Sequence, residues 1–323
     1  MSVKWGVLGT ANIAKGCTIP GMKMADNCEL YAIAGRNEDK VNSFKDEYGF
    51  KKAYYGYEKL LEDPDIQAVY IPLPNGLHKE WVLRALKAGK HVLCEKPMAL
   101  NAQDAKEMFD TAGKNNVFLM EAFAYLHSPY VDALRADIDS GIIGKVDYIE
   151  TAFVGQGMTE DIRLYKELGG GAVYDLGCYC TSMILSLTDA EPSMVLANAE
   201  FGGKDVDMFS SALLKFDNGL RASFNVGMIF EPGSYGRWDR LYIHGTKGTI
   251  VSSVEYNQAG DLNYTVISEG KKILRTVHAD HNYMLEVRQL GRCIENGEAP
   301  HVTEAFSIRN SGLLDMILQE IGY

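Results

Sequence analysis

The stretch that decides the fold is VKWGVLGTANIAKG, Val3–Gly16. An apolar run leads directly into a turn in which Gly9, Ala11 and Ala14 form a G-x-A-x-x-A pattern. In a dinucleotide site, the first small residue permits the tight turn, the second lets the backbone approach the pyrophosphate, and the third lets the helix pack on the strand. The helix that follows would offer its free N–H groups to the phosphates. The pattern therefore favours a dinucleotide-binding domain over a tight turn without a function.

The rest of the first 122 residues continues this alternation of strand and helix. Short apolar runs are typical of strands buried on both faces of a parallel sheet, and helical segments lie between them. These runs are Glu29–Gly35, Ala68–Ile71, His91–Cys94 and Val117–Ala122. The order predicts an α/β domain with a doubly wound parallel sheet.

The character of the sequence changes after about residue 122. Ser128 and Pro129 mark the start of a helix. From there on alternating runs dominate, the last of them predicted as a strand over Gly248–Val254, and Asn218-Gly219 is a hairpin signal between two others. We expect a large, mainly antiparallel sheet. The chain would then have a dinucleotide-binding domain over 1–122 and a substrate-binding and oligomerisation domain over 123–323.

Composition and charge narrow the classes of function. The chain has 323 residues and a formal net charge of -11, which makes nucleic acid or an anionic membrane an improbable partner. No run approaches the roughly 20 apolar residues of a membrane helix, and the start does not read as a signal peptide. Six cysteines without CxxC pairs indicate reduced thiols in the cytoplasm. His278 and His281 lack a third ligand nearby in sequence, so we expect no metal site.

The end of the second strand bears on the choice of cofactor. An NAD site usually places an acidic residue there, about 20 residues after the glycines. Here Arg36 occupies the strand tip and Lys40 follows one turn later. Both cations could bind a 2′-phosphate, which favours NADP, while Glu38 and Asp39 leave NAD open.

A charge pair at the end of a buried strand is the strongest sign of chemistry. Glu95, Lys96 and Pro97 follow the apolar run directly. Charges at this position cost desolvation, but the carboxyl edge of a parallel sheet is where doubly wound folds bind their ligands. Lys96 is therefore the leading catalytic candidate.

Four stretches carry a resemblance to a known family: GVLGTANIA, IPLPNGLHKEW, CEKPMAL and LGGGAVYDLGCY. The sequence resembles the Gfo/Idh/MocA oxidoreductases (glucose-fructose oxidoreductase and inositol dehydrogenase-like), and within them the branch of trans-1,2-dihydrodiol and D-xylose dehydrogenases. The resemblance implies an N-terminal Rossmann domain and a C-terminal α/β domain with an open sheet. It also implies a homodimer or higher homo-oligomer formed through that sheet.

The resemblance also assigns residues to the site. Lys96 would lie beside the nicotinamide and the substrate, and Asp175 and Tyr179 would be the facing pair. With the glycine turn and the strand tips, the predicted cofactor-binding residues are Gly9, Thr10, Ala11, Asn12, Ile13, Arg36, Lys40, Pro72, Asn75, His78, Glu95 and Lys96.

Four further residues are candidates for binding the substrate. Arg163 matches an arginine common in the family, and it would either line the substrate or pair with Asp161 or Glu167. Aromatic side chains could form a wall for a sugar ring, although core packing is their commoner fate. These aromatic residues are Phe153, Tyr165 and Trp238.

The chemistry of the residues agrees with these roles. Asp175 and Tyr179 are four residues apart on a predicted helix, so both project from one face. Oxidation of a hydroxyl group needs a base for its proton. The ordinary pKa of tyrosine is near 10, and a neighbouring lysine would lower it. We expect Tyr179 to transfer the proton and Lys96 to assist it, and the reverse assignment stays open.

These observations predict an NAD(P)-dependent dehydrogenase or reductase acting on CH–OH groups. A hydride would pass between the nicotinamide and a ring hydroxyl or carbonyl of a sugar, a polyol or a related diol. Two other functions occur with such a fold: a sensor of dinucleotide or sugar without enzymatic activity, and an NAD-dependent glycosidase.

Overall fold

A computed structural model describes residues 2–202, 204–233, 236–253 and 256–323 of the chain. They form two compact units. The first unit comprises the residues up to His127 together with Asp280–Ile308, and the second comprises Ser128–Ala279 and Arg309–Tyr323. The division predicted from the sequence assigns the whole of 123–323 to the second domain, whereas residues 280–308 pack in the first unit.

The first unit is built on a sheet of six parallel strands in the order β3-β2-β1-β4-β5-β6. The strands are β1 (Val3–Leu8), β2 (Cys28–Gly35), β3 (Lys52–Tyr55), β4 (Ala68–Ile71), β5 (His91–Glu95) and β6 (Leu119–Ala122). The chain order reverses between β1 and β4, which is the point where such sheets bind ligands. The prediction of a doubly wound sheet is confirmed. Strand β3 was not predicted, because its side chains are polar or aromatic and only partly buried.

Helices pack on this sheet and complete the core of the first unit. They are a π-helical segment (Ala14–Thr18), α1 (Ile19–Met24), α2 (Glu38–Tyr48), α3 (Tyr57–Leu61), α4 (Asn75–Lys87), α5 (Ala102–Lys114) and α8 (Asn282–Asn296). The side chains of Asn37 and Asn101 cap α2 and α5 by accepting backbone N–H groups.

Helix α8 packs on α1, although the two are far apart in sequence. The approach is close at Gly21, where a Cβ atom would stand 2.7 Å from the backbone carbonyl carbon of Tyr283. A side chain at position 21 would push the two helices apart, which explains the glycine there.

The second unit contains a sheet of eight strands in the order β14-β13-β12-β11-β7-β10-β9-β8. The strands are β7 (Val146–Gln156), β8 (Pro192–Phe201), β9 (Asp207–Phe216), β10 (Arg221–Phe230), β11 (Trp238–Gly245), β12 (Gly248–Ser252), β13 (Gly260–Ser268) and β14 (Lys271–Ala279). Strands β7 and β10 pair in parallel, and the other neighbours pair antiparallel. The prediction of a mainly antiparallel sheet is confirmed.

The turns of this sheet explain its order. Asn218-Gly219 joins β9 to β10, as predicted. Strands β13 and β14 were not predicted, although Glu269 and Gly270 both have left-handed φ angles (50° and 75°), as a tight hairpin requires. The predicted strand Gly248–Val254 is described only in part, because Val254 lies outside the described residues.

One face of the second sheet carries helix α7 (Cys178–Ser186), which packs on β7 and β10. Helix α6 (Pro129–Asp139) packs on β14, and Ser128 and Pro129 begin it as predicted. The last helix, α9 (Glu304–Ile321), contributes residues to both units.

The other face of the second sheet exposes apolar side chains toward its two edges. Leu196 on β8 pairs with Leu213 on β9, and Tyr242 on β11 pairs with Val251 on β12. Between these two pairs, the same line across the sheet is occupied by Ser223 on β10 and Glu150 on β7. Leu213 is 58% exposed and Leu274 is 67% exposed.

In the part of the chain that the structure describes, no helix has both the length and the apolar character needed to cross a membrane. Within the same residues, no three His, Cys, Asp or Glu side chains are grouped to hold a metal ion.

Candidate active site

The glycine turn after β1 has the geometry that a dinucleotide requires. Gly9 has a φ angle of 119°, and its N–H donates to the carbonyl oxygen of Ala34 (2.8 Å). A Cβ atom on Gly9 would also stand 3.2 Å from Leu73. Ala14 is fully buried and packs the helix against the sheet, as the third position of the motif should. The intervening residues Thr10–Ile13 keep part of their surface exposed at the start of the helix.

Hydrogen bonds link the π-helical segment after the turn to Glu95, the last residue of β5 and the neighbour of Lys96. Thr18, the last residue of the segment, donates its hydroxyl to Tyr70 Oη (2.9 Å). Tyr70 in turn donates to Glu95 Oε1 (2.6 Å). Tyr70 is fully buried, and burial with the nearby Glu95 raises its pKa well above the ordinary value. The phenol therefore stays protonated and remains a donor to Glu95.

The loop that carries Lys96 is held by neighbouring residues on both sides. The Lys96–Pro97 peptide bond is cis, and the backbone N–H of Lys96 donates to Glu95 Oε2 (3.3 Å). His78 lies with Nδ1 2.9 Å from the carbonyl oxygen of Pro97 and Nε2 2.7 Å from that of Leu73.

His78 is fully buried, and burial lowers its pKa to about 4. The neutral ring has one N–H and donates to one of the two carbonyl groups. The sequence predicts His78 as a cofactor-binding residue, and in the structure its buried ring contacts the backbone of the Lys96 loop.

Two buried carboxyl groups near this loop were not found from the sequence. Glu121 on β6 accepts the N–H of Met98 (2.9 Å), and burial raises its pKa to about 7. Glu286 on α8 is fully buried, and neither carboxyl oxygen has a hydrogen-bond partner among the described residues. Burial and the charge of Glu95 raise its pKa well above the ordinary value. The sequence does signal Glu121, because a glutamate stands inside the apolar run FLMEAF. Glu286 has no such signal, because it reaches this position only when residues 280–308 pack in the first unit.

The cationic end of the predicted cofactor site lies at the tip of β2. Arg36 and Lys40 are exposed there, and the Arg36 side chain contacts Tyr57. A Cβ on Gly35 would stand 3.7 Å from Thr10 Cγ2, so the tip of β2 lies beside the glycine turn. Pro72 is buried after β4, and Asn75 begins α4.

In the second unit, Asp175 lies in a second π-helical segment, Val173–Gly177, which runs directly into α7. Arg163 Nε lies 2.8 Å from Asp175 Oδ2, and its Nη1 lies 3.0 Å from Asp161 Oδ1. Asp175, the largest cause, raises the pKa of the Arg163 guanidinium. The arginine thus pairs with a candidate catalytic carboxylate as well as with Asp161, one of its expected partners.

Tyr179 lies one turn further along and forms a cluster with two other aromatic rings. Its ring centroid is 5.5 Å from that of Phe153 and 5.2 Å from that of Tyr256, and these two stack on each other at 5.3 Å. The side chain of Asn257 donates to Tyr179 Oη (3.2 Å). The Arg237 guanidinium lies 3.9 Å from the centre of the Phe153 ring.

The turn that precedes Asp175 is held by residues that the sequence did not suggest. Asp207 Oδ2 accepts the N–H of Val173 (2.9 Å), and Tyr323 donates its hydroxyl to the carbonyl oxygen of Gly170 (2.8 Å). The N–H of Gly171 donates to the carbonyl oxygen of Arg163 (2.8 Å). Burial raises the pKa of Asp207 to about 6. These contacts fix both Arg163 and the start of the helix that bears Asp175.

Comparison with known proteins decides the family. A model described as an oxidoreductase family with an NAD-binding Rossmann fold matches residues 3–123, and one described as the GFO/IDH/MocA C-terminal domain matches residues 131–251. A D-xylose 1-dehydrogenase (NADP(+)) of Haloferax volcanii is 32% identical over 322 residues, which cover 98% of this chain and 96% of the relative. The chain belongs to the Gfo/Idh/MocA family.

Other Gfo/Idh/MocA proteins match over the whole chain. A trans-1,2-dihydrobenzene-1,2-diol dehydrogenase of Xenopus laevis is 34% identical, with 100% of this chain and 99% of the relative covered. The solved structure of KijD10, a 3-ketoreductase from Actinomadura kijaniata in complex with TDP-benzene and NADP, matches with a TM-score of 0.90. The identity is 27%, and the match covers 99% of this chain and 98% of KijD10.

As a Gfo/Idh/MocA oxidoreductase, the chain has residues that fit a nicotinamide dinucleotide. The positive φ angle of Gly9 and the close approach of Leu73 leave room for no side chain at the turn. The helix that starts at Asn12 follows the turn directly, and the first N–H groups of such a helix can bind a pyrophosphate.

Two of the predicted aromatic residues lie away from the Tyr179 cluster. Trp238 pairs with Val154, and Asp239 pairs with Phe153, so Trp238 and Phe153 point to opposite faces of the sheet. The ring of Tyr165 carries the Lys204 ammonium at 3.8 Å. Of the three aromatic residues predicted to contact a sugar ring, Phe153 lies beside Tyr179. The other ring beside Tyr179 is that of Tyr256, which the sequence did not suggest.

Proposed function

We propose that the chain is an NADP-dependent dehydrogenase or reductase that acts on a ring hydroxyl or carbonyl of a sugar, a polyol or a related diol. The observation that carries the proposal is the bracing of the Lys96 loop. The chain from Thr18 through Tyr70 to Glu95 fixes it on one side, and His78 supports it on the other. A lysine at the carboxyl edge of a Rossmann sheet, held this firmly, suits a role at the reacting group.

The residues of the chain transfer the proton, and the nicotinamide, when bound, supplies or accepts the hydride. In the oxidative direction Tyr179 takes the proton of the substrate hydroxyl, and in the reductive direction it returns a proton to the carbonyl oxygen. Lys96 stabilises the negative charge that develops on oxygen. Asp175, paired with Arg163, orients a substrate hydroxyl.

NADP is the preferred cofactor in this proposal. Arg36 and Lys40 are both exposed beside the glycine turn, where a 2′-phosphate would need them. Among the relatives, the Haloferax volcanii enzyme is named for NADP, and KijD10 was solved with it. Glu38 and Asp39, in the first turn of α2, are the features that would favour NAD.

The substrate class follows from the relatives together with the cluster around Tyr179. The named relatives act on D-xylose and on a dihydrobenzene diol, and both substrates carry hydroxyl groups on a carbon ring or chain. The faces of Phe153 and Tyr256 suit the apolar face of such a ring. Neither the sensor nor the glycosidase is favoured, because the relatives are dehydrogenases and reductases.

We also propose a cytoplasmic homodimer or higher homo-oligomer formed through the second sheet. The exposed Leu196 and Leu213 on its open face support association, and six free cysteines suit a reducing compartment.

The test is a binding titration followed by a substrate panel. The protein is titrated with NADPH and NADH, and sugars, polyols and diols are then assayed by the absorbance of the reduced nicotinamide. Lys96→Met should lower turnover roughly 10²- to 10⁴-fold. NADPH should still bind to this variant, because the glycine turn is unchanged.

Lys106→Met is the matched control, because Lys106 lies on the exposed surface of α5 and pairs with Asp110. It should retain the activity of the parent protein. Full turnover by Lys96→Met, or no binding of either dinucleotide to the parent, would refute the proposed function.

A further inference from the structure

We propose that Asn257 is a positioning residue for the Tyr179 hydroxyl, and that its side-chain amide sets the pH range in which Tyr179 can exchange a proton. The inference rests on the proposed function, because it concerns the residue assigned to proton transfer there.

The contact between the two side chains is directional. Asn257 Nδ2 donates to Tyr179 Oη at 3.2 Å. A hydrogen bond donated to the phenolic oxygen stabilises the phenolate more than the neutral phenol, because the acceptor gains charge on ionisation. The same bond turns the O–H of Tyr179 away from Asn257, so that its proton points elsewhere.

The buried surroundings of Tyr179 strengthen its hydrogen bond with Asn257. The Tyr179 side chain is only 8% exposed, and the rings of Phe153 and Tyr256 enclose it. Water therefore has little access to the ring, and a hydrogen bond in such surroundings is stronger than one in bulk solvent. Asn257 itself is exposed, at the edge of the cluster.

Asn257 is held in place through its neighbour in the chain. Tyr256 is only 1% exposed, and it stacks almost parallel to Phe153, with 8° between the rings. Its hydroxyl also lies 3.8 Å from Cys180 Sγ on α7. The buried ring anchors the backbone of the segment, so the adjacent amide is presented to Tyr179 from a fixed point.

Charged groups of both signs lie around the cluster. Asp175 lies one turn before Tyr179 and pairs with Arg163 (2.8 Å). Arg237 lies over Phe153 and pairs with Asp239 (2.7 Å). The hydrogen bond from Asn257 differs from these charges in that it acts on the phenolic oxygen directly.

The experiment compares three variants of Asn257 by the pH dependence of kcat/KM in the oxidative direction. Asn257→Ala removes the donor and should move the limb that reports the base to higher pH by about one unit. Asn257→Asp can only accept from the phenol and adds a negative charge, so its shift should be larger. Asn257→Gln keeps an amide and should restore part of the parent profile.

A second readout does not depend on catalysis. The tyrosinate absorbance of the protein is titrated with pH, and the titration of Tyr179→Phe is subtracted to isolate Tyr179. The midpoint for Tyr179 should rise in Asn257→Ala and rise further in Asn257→Asp. If Asn257 has only a structural role, its variants would lower kcat but would leave unchanged both the midpoint of the kcat/KM profile and the midpoint of the tyrosinate titration.

Asn263→Ala is the matched control, because Asn263 on β13 accepts a hydrogen bond from Thr276 (2.7 Å) away from this cluster. Its two midpoints should equal those of the parent. Unchanged Tyr179 midpoints in Asn257→Ala and Asn257→Asp would overturn the inference. Full activity of Tyr179→Phe would instead overturn the role given to Tyr179 in the proposed function, whatever the spectroscopic midpoints show.

Discussion

Glu121 is a buried carboxyl group that makes the stability of the fold depend on pH. Its side chain is only 1% exposed, and burial raises its pKa from 4.5 to about 7. A carboxyl group whose pKa is higher in the folded chain stabilises the fold fully below pH 4.5. That contribution is lost as the pH rises through 7.

Glu121→Gln should therefore flatten the decline in stability between pH 4.5 and 7. The difference between variant and parent should change by up to about 3 kcal/mol over this range, because one pKa unit corresponds to about 1.4 kcal/mol. The amide oxygen can still accept the N–H of Met98. The measurement is the Tm of both proteins from pH 5 to pH 8. Glu62→Gln, at an exposed position, serves as the control and should follow the parent curve. If the Glu121→Gln curve runs parallel to that of the parent, Glu121 does not titrate as stated.

At this scale the sequence predicts some residues and misses others for a physical reason. Gly9 and Lys96 could be placed because each adjoins a strand end that the local pattern defines. Asn257 and Glu286 could not be placed, because they reach their positions only when distant parts of the chain return. The sequence shows which residue types are present, but it does not show which distant residues they will contact in the fold.

The helix that bears Asp175 and Tyr179 depends on a strand far from it in sequence. Asp207, the first residue of β9, accepts the N–H of Val173 at the start of this helix. The strand thus provides the cap that the residues just before the helix do not. Side chains that bind a helix terminus in this way define where the helix begins.

Asp207→Ala should lower the free energy of unfolding by about 1–2 kcal/mol, because the N–H of Val173 loses its hydrogen-bond acceptor. It should also lower kcat/KM, because the start of the helix no longer holds Asp175 in place against Arg163. Chemical unfolding and steady-state kinetics measure the two effects. The control is Asp217→Ala, because Asp217 accepts the N–H of Glu191 on an exposed turn. Equal kinetics for Asp207→Ala and the parent would contradict the positioning role.

The elements themselves were largely predictable, with exceptions that share a cause. Long apolar runs and capping residues identified most strands and helices of both units. Strands β3, β13 and β14 were missed, because each has an exposed or partly exposed face and lacks a continuous apolar run.

On the scale of the whole molecule, the proposed association would use the open face of the second sheet. Leu196 and Leu213 pair on neighbouring strands there, and they are 50% and 58% exposed. A pair of exposed leucines suits contact with an apolar surface on a partner.

Leu213→Lys should weaken association at least tenfold, because a buried ammonium would have to be desolvated in the interface. Sedimentation velocity over a range of protein concentrations measures the effect. Met24→Lys replaces a similarly exposed side chain (57%) on the first unit and should sediment like the parent. An unchanged sedimentation profile for Leu213→Lys would show that this face is not the interface.

The return of residues 280–308 to the first unit has a consequence for synthesis on the ribosome. The strands of the six-stranded sheet emerge first, but the helix that covers Gly21 is made only after residues 128–279. At about 5–20 residues per second this delay lasts roughly 8 to 30 seconds. During that time the nascent chain exposes apolar surface that α8 later covers. The packing of the first unit is therefore completed late in translation, and a chaperone that shields the uncovered apolar surface would act within this interval.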